Sequence, residues 1–119
     1  MKKPVRIILI NDAKESFIRL NEIVGHQIKF NKENTKEMQL LKSIKTKIEF
    51  IKQNPFYGDS IKKEQIPKDY NVPNLWRTEL TNYWRMLYTI RGDEIEIICF
   101  ILNIINHDDY NKIFSYRKK

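Results

Sequence analysis

The sequence predicts a single α+β domain of element order β-α-α-β-β-β-α, a mainly antiparallel sheet with a helical hairpin packed on one face. Three observations carry this expectation. A nearly continuous apolar, β-branched run lies near the start, at residues 5–10. Two segments with apolar residues at helical spacing follow it. From Leu75 onward, apolar strand-like runs are divided only by short polar turns, and a short helical segment follows the last of them.

Val5 to Ile10 has the near-continuous apolar character of a strand covered on both faces. Asp12 followed by Glu15 has the spacing of an N-cap and its reciprocal partner, so a helix opens there. Phe17, Leu20, Val24 and Ile28 give that helix its buried stripe, with Gly25 blurring where it ends. After the polar stretch Asn31 to Lys36, Asn34 or Thr35 can cap a second helix. Leu41, Ile44, Ile48 and Ile51 form its apolar stripe, and Lys42, Lys45, Lys47 and Lys52 stay mostly outside it. Pro55 turns Asn54 away from helical geometry and Gly58 permits a sharp turn, which ends the helix. Asp59 to Asn74 is then a polar connection with a basic cluster at Lys62, Lys63 and Lys68. Connections that long and without structure are usually functional or mobile, and this one is a candidate for gripping a phosphate backbone.

The run LWRTELTNYWRMLYTI, starting at Leu75, allows faces to be assigned. A two-residue turn at Thr81 and Asn82 would set Trp84 beside Arg77 and Arg85 beside Trp76, mixing polar and apolar residues on both faces. A three-residue turn, Thr81 to Tyr83, instead puts Trp76, Thr78, Leu80, Trp84, Met86, Tyr88 and Ile90 on one face and Arg77, Glu79 and Arg85 on the other. One face must be apolar to pack on the helices, so the second register is expected. Gly92 and Asp93 supply the next turn, and the strand from Glu94 to about Ile104, apolar on both faces, should be central. The Arg91-Gly92-Asp93 tripeptide reads as part of that turn. Asn106 can cap a final helix, with His107 and Tyr110 on one side of its first turn.

At 119 residues the chain is one domain's length, and 41% hydrophobic and 12% aromatic residues fit an ordinary folded protein. Neither an internal repeat nor a low-complexity run is present. A net charge of +7 favours polyanionic partners. The excess sits early: residues 1–70 hold 15 Lys+Arg against 9 Asp+Glu, and residues 71–119 hold 7 against 6. The single cysteine, Cys99, lies in an apolar run, so an intramolecular disulfide is excluded and a buried thiol is expected. Residues 1–4 lead straight into the first strand, so no signal peptide is expected, and the longest apolar run, Ile95 to Ile105, is too short for a bilayer. A soluble cytoplasmic protein without membrane contact is the expectation.

Arg77, Arg85, His107 and Tyr110 are the residue types of a small, metal-free site that cuts or holds RNA. Cutting RNA without a metal requires the 2′-hydroxyl to lose a proton, the phosphorane to be stabilised and the leaving 5′-oxygen to be protonated. Arginine suits the middle task because its planar fork holds phosphate oxygens. Arg77 and Arg85 on one sheet face can form such a clamp, or can pair with Glu79 or acids of the final helix. His107 is the natural acid or base near neutral pH, or a cap satisfied by Asp108. Tyr110 can donate a proton or stack on a base, or pack with Phe114 one turn on. Glu79 is a candidate general base if its neighbouring arginines leave it basic enough. His26 is assigned no role. Neither a metal-ligand spacing, nor a glycine-rich phosphate loop, nor a partnered serine nucleophile occurs, so no cofactor is expected.

The tryptophan-arginine strand start at Trp76-Arg77, the second strand YWRMLYTI at residues 83–90 and the closing HDDY at residues 107–110 together resemble the RelE/ParE toxin superfamily of type II toxin–antitoxin systems, in its mRNA-interferase branch. The resemblance covers most of the chain in element order and its second half in motif. It implies a RelE-like, microbial-RNase-like fold and a metal-independent endoribonuclease toxin acting on mRNA in the ribosomal A site. Arg85 takes the arginine position of the strand that the family's interferases use at the phosphate, with Arg77, Glu79, His107 and Tyr110 around it. Lys62 and Lys63 resemble the family's basic loop, with Lys68 beside them. A cognate acidic antitoxin is the implied partner, giving a hetero-oligomer. Asp108 and Asp109 stand where many relatives carry basic residues. Two other readings stay open: a ParE-like gyrase inhibitor without nuclease activity, and a non-catalytic basic nucleic-acid-binding module.

Overall fold

A computed structural model of the chain describes residues 3–115. Strand β1 (Val5–Leu9) leads into helices α1 (Asn11–Lys29) and α2 (Lys36–Gln53). Strands β2 (Asp59–Ser60), β3 (Trp76–Glu79), β4 (Trp84–Gly92) and β5 (Ile97–Asn106) follow, and α3 (His107–Ser115) comes after them. They form one five-stranded sheet in the order β1-β5-β4-β3-β2. Only the β1–β5 pair is parallel. The expected order therefore holds with one addition, the two-residue β2 at the edge, and β5 is interior, between the edge strand β1 and the central β4.

The α1–α2 hairpin covers one face. Ala13, Leu20 and Val24 of α1 and Leu40, Leu41, Ile44 and Ile51 of α2 pack on Met86, Tyr88, Cys99, Ile101 and Ile104 of the sheet. Burying each large apolar side chain contributes about 1.5–3 kcal/mol. The α1 stripe stops short of expectation, because Ile28 is exposed and Ala13 takes the first position. The expected Asp12 cap is also replaced. Ile10 occupies the cap position with no side-chain hydrogen bond. Its N–H is still tied to the Ile101 carbonyl, 3.1 Å away, so the chain turns straight off the sheet at Asn11, and Asp12 falls inside the first turn. In α2 it is Thr35 that caps, its hydroxyl oxygen accepting from the Met38 N–H at 3.1 Å and donating to Gln27 of α1 at 2.6 Å.

The β3–β4 turn is the three-residue one, Thr81 to Tyr83, closed by Leu80 N–H donating to the Trp84 carbonyl at 2.8 Å. Trp76 pairs with Tyr88, Thr78 with Met86 and Glu79 with Arg85. The apolar set faces the helices and Arg77, Glu79 and Arg85 face away, as expected from period-two alternation. β5 starts later than expected. Asp93 accepts from the N–H groups of Ile95 and Glu96, each at 2.8 Å, so the turn spans residues 93–96 and the strand begins at Ile97. Leu87 pairs with Asn103 but Tyr88 with Ile101, so Leu102 is the extra residue of a bulge. The bulge lets Ile101 and Ile104 share the helix face while Ile105 joins the other.

That other face is covered too. The segment from Ile61 to Val72 is not structureless: it makes 3₁₀ turns at Lys63–Gln65 and Lys68–Tyr70. Ile61, Ile66, Tyr70 and Val72 pack with Leu75, Leu87 and Ile105 and with Tyr110, Ile113 and Phe114 of α3. Apolar residues spaced among the lysines hold the segment down, which the reading of it as a free polar connection missed.

Tyr88 joins this segment to the core. Its buried hydroxyl donates to the Pro55 carbonyl at 2.8 Å and accepts from the Gly58 N–H at 3.0 Å. Gly58 has an ordinary φ of −75°, yet a Cβ there would lie 2.6 Å from the Arg77 carbonyl oxygen and 2.9 Å from the Tyr88 hydroxyl. Glycine is required by close approach. Gly58→Ala should destabilise the protein by about 1–3 kcal/mol through overpacking, and Tyr88→Phe by about 1–3 kcal/mol through the lost hydrogen bonds, both read by denaturant unfolding. Burial also pushes the Tyr88 phenol up to about 12 and the Cys99 thiol up to about 11, from ordinary values of 10.0 and 9.0. Raised folded values mean stability is complete below the ordinary values and is lost as pH climbs through the raised ones. Unfolding followed against pH should therefore show stability falling between roughly pH 9 and pH 12, with a shallower upper part in Tyr88→Phe.

Candidate active site

The sheet face away from the helical hairpin gathers polar side chains at one end. β3 contributes Arg77 and Glu79, β4 contributes Arg85, and the first turns of α3 contribute His107, Tyr110 and Asn111. Strand pairing explains the convergence. Arg85 lies opposite Ile105, two residues before His107, and Asn106 caps α3 by accepting from the Asp109 N–H at 2.8 Å. The chain thus leaves the sheet and enters the helix beside Arg85, and the i, i+3 spacing brings Tyr110 back over the arginines.

Tyr110 is the centre of the group. Arg77 Nη1 donates to its hydroxyl oxygen at 2.9 Å. The Arg85 guanidinium lies over its ring, 4.4 Å from the centroid, and that of Arg77 lies 5.7 Å away. Phe114 stacks on the ring with centroids 4.4 Å apart. An arginine fork against an aromatic face is a favourable cation–π arrangement that keeps the N–H groups in plane for other acceptors. Arg85 uses that freedom: Nε donates to Glu79 at 3.4 Å and Nη1 donates to His107 Nδ1 at 3.1 Å. Its side chain is only 15% exposed, and the Glu79 carboxylate remains well exposed. Among the described residues, Arg85 Nη2 has no partner.

Arg77 is anchored on its other side by Asp59, its strand partner in β2, with Nη2 3.5 Å from the carboxylate. Burial works against its charge, the Tyr110 and Asp59 contacts oppose that, and the balance holds the guanidinium above its ordinary value. Arg77 Nε is buried without a partner among the described residues.

The histidine's hydrogen bonds dictate its tautomer. A guanidinium can only donate, so His107 Nδ1 must accept from Arg85 and, in the neutral ring, Nε2 carries the proton. The Asn111 Nδ2 stands 3.2 Å from Nε2, and because an NH2 group cannot receive the Nε2 proton, this tautomer requires the Asn111 amide to turn its oxygen to the ring. Tyr83, 77% exposed, stands beside the imidazole, ring centroids 6.1 Å apart.

Arg77, Glu79, Arg85, His107 and Tyr110 are therefore one connected cluster. Lys62, Lys63 and Lys68 are exposed on the segment between β2 and β3 and stand outside its hydrogen-bond network. Sequence reasoning missed Asn111, whose i+4 spacing from His107 was a usable signal, and Asp59, which nothing local to residue 59 connects with Arg77. Among the described residues, no group of three or more His, Cys, Asp and Glu side chains is placed to hold a metal ion. No helix among them is long and apolar enough to cross a membrane.

No protein-family model and no curated protein matches the sequence. A solved structure does match: a YoeB/ParE toxin from Agrobacterium tumefaciens is similar with a TM-score of 0.58, over 86% of this chain and 98% of that one, at 12% sequence identity. The chain has the fold of this YoeB/ParE toxin. With so few identities shared, the likeness lies in the path of the backbone, and the chemistry must be argued from this chain's own residues. On this fold the arginine cluster occupies the sheet face opposite the helical hairpin, at the start of the last described helix. The tautomer argument is directly testable. Nitrogen-detected NMR of the ring should show His107 protonated at Nε2 and bare at Nδ1 near pH 8, and the reverse tautomer would disprove the Arg85 hydrogen bond.

Proposed function

We propose that this protein is the toxin of a type II toxin–antitoxin system, a metal-independent endoribonuclease that cuts mRNA in the ribosomal A site. The observation that supports this best is the convergence of Arg77, Arg85, His107 and Tyr110 from three elements of a RelE/ParE-type fold onto one small surface. Two guanidinia beside an imidazole and a phenol provide one group for each requirement of metal-free RNA cleavage.

In this reading the scissile phosphate takes N–H groups of Arg85 that now serve His107 and Glu79. Moving Arg85 Nη1 onto a phosphate oxygen frees the lone pair of His107 Nδ1, while Asn111, with its amide oxygen turned to the ring, keeps the opposite nitrogen protonated. His107 then removes the proton of the 2′-hydroxyl, which attacks the phosphorus. Arg85 and Arg77 stabilise the charge that develops on the phosphorane. Tyr110 accepts from Arg77 through its oxygen, so its own proton is free to go to the leaving 5′-oxygen. The products are a 2′,3′-cyclic phosphate and a 5′-hydroxyl. Glu79 is the orienting partner of Arg85 rather than the base, since the two pair across β3 and β4. Lys62, Lys63 and Lys68 seat the protein on ribosomal phosphates, as the net charge of +7 suits. A cognate acidic antitoxin, folding as it binds, neutralises this charge in the cytoplasm.

Induced expression in a bacterium, with primer extension on a translated message and a parallel assay on purified ribosomes, tests the reading. The wild type should arrest growth and cut messages in frame only when ribosomes are present. Arg85→Ala should lower the single-turnover cleavage rate by about 10²–10³-fold and His107→Ala by about 10²–10⁴-fold, both with the fold intact by circular dichroism. Growth arrest with uncut messages and blocked DNA supercoiling would replace the nuclease with a gyrase inhibitor, and RNA binding without cleavage or arrest would leave a binding module.

A further inference from the structure

Six residues other than glycine have left-handed backbones among those described, and five of them are asparagines: Asn11, Asn31, Asn34, Asn71 and Asn82. Asparagine tolerates that region because its short side chain can bond locally. The sixth is Tyr83, with φ of 64°. A bulky side chain is a genuine outlier there, and such strain persists where a function holds the residue in place. The ring does not offset that strain by burial, since Tyr83 is 77% exposed, level with Ile95 as the most exposed large hydrophobic residue among those described. The turn nevertheless aims the ring at the candidate site, 6.1 Å between centroids from His107 and tilted 56° to it. His107 in turn bonds Arg85, at 3.1 Å.

From this we infer that Tyr83 is the base-stacking residue of the site, its exposed ring taking the unpaired nucleobase next to the phosphate held by Arg85. The inference rests on the nuclease reading and adds the part of the substrate it leaves unaddressed. The arginines recognise a phosphate, which every nucleotide carries. An aromatic face one side chain away from the histidine recognises that the strand is single and its base unstacked from a partner strand, and any base offers such a face. The neighbouring Asn82 is also left-handed, with φ of 57°, so two consecutive unusual conformations present this one ring. A turn selected for stability alone would carry asparagine or glycine at position 83.

Tyr83→Asn and Tyr83→Phe, compared with the wild type on ribosomes programmed with a defined A-site codon, separate stacking from structure. Single-turnover cleavage is measured against toxin concentration, and thermal unfolding is measured on the same samples. Tyr83→Asn should raise the half-saturating concentration about tenfold, lower the rate at saturation less, and raise Tm by about 4 °C as the strain is relieved. Tyr83→Phe should keep the half-saturating concentration and the Tm of the wild type. Unchanged half-saturation in Tyr83→Asn, or a fall in its Tm, overturns the inference and leaves the nuclease reading standing. If the wild type does not cut at all while programmed ribosomes are intact, the nuclease reading itself fails and this inference fails with it.

Discussion

The three-residue turn between β3 and β4 determines which side of the sheet each side chain of that hairpin occupies. Alternation has a period of two, so a slip of one residue would turn β4 over against β3, driving Arg85 into the core beneath α1 and α2 and expelling Met86 and Tyr88 while Arg77 and Glu79 stayed outside. Burying unpaired charges costs several kcal/mol each, and losing the apolar set adds about 1.5–3 kcal/mol per side chain. No turn preference outweighs that, so the hairpin accepts left-handed conformations at both Asn82 and Tyr83 to keep its register. The polar cluster is thus a by-product of a hydrophobic constraint. Three charges share one small surface because the opposite surface must be dry.

The same constraint passes to β5, which has to satisfy both faces at once. Ile101 and Ile104 must both meet the helices, and three residues do not fit a period of two, so the bulge at Leu102 absorbs the difference. From there to Asn106 the strand runs in step with β4, and Asn106 is both the last strand residue and the cap of α3. With no connecting loop, the position of His107 relative to Arg85 is inherited from sheet pairing and varies little. Gly58 and Tyr88 do the same for the opposite edge. By drawing β2 against β3 they put Asp59 across from Arg77. Rigid elements set every polar contact of the cluster, which is how sites gain precision.

What the sequence revealed follows physical scale. The hairpin register was legible because only one alignment segregates Trp76, Leu80, Met86 and Tyr88 from Arg77 and Arg85, and the caps at Thr35 and Asn106 were legible from local chemistry. The cap of α1 was misread because Ile101, ninety-one residues away from Ile10, holds the cap residue in the sheet. The segment after β2 looked free because its anchors, Ile61, Ile66, Tyr70 and Val72, are scattered among charges and find their partners only on the far side of the sheet. In the candidate site, residue types singled out Arg77, Arg85, His107 and Tyr110, but who bonds whom was beyond reach. Asp59 reaches Arg77 only through the pairing of a two-residue strand, and the exposure of Tyr83 depends on a backbone conformation that its own side chain disfavours.

The cluster as it stands is electrostatically closed. Arg85 serves Glu79 and His107, and Arg77 serves Asp59 and Tyr110, so each guanidinium is already matched by a carboxylate. Both carboxylates are well exposed and both contacts are long, at 3.4 and 3.5 Å, so water competes with the arginines for the acids. On the proposed reading a phosphate diester offers the same forks another charged acceptor that more than one N–H group can hold. Exchange of partners therefore costs little on the acidic side. The two acids have a further consequence on the proposed reading. They hold the arginines in position without neutralising them deeply, whereas a buried carboxylate in their place would compete with substrate for the same N–H groups. The same economy explains the stacking on Tyr110. Because the ring supports Arg85 from its face, the fork can keep its orientation while its in-plane bonds are exchanged, so that on the proposed reading the site need not reorganise as charge develops on the phosphorane.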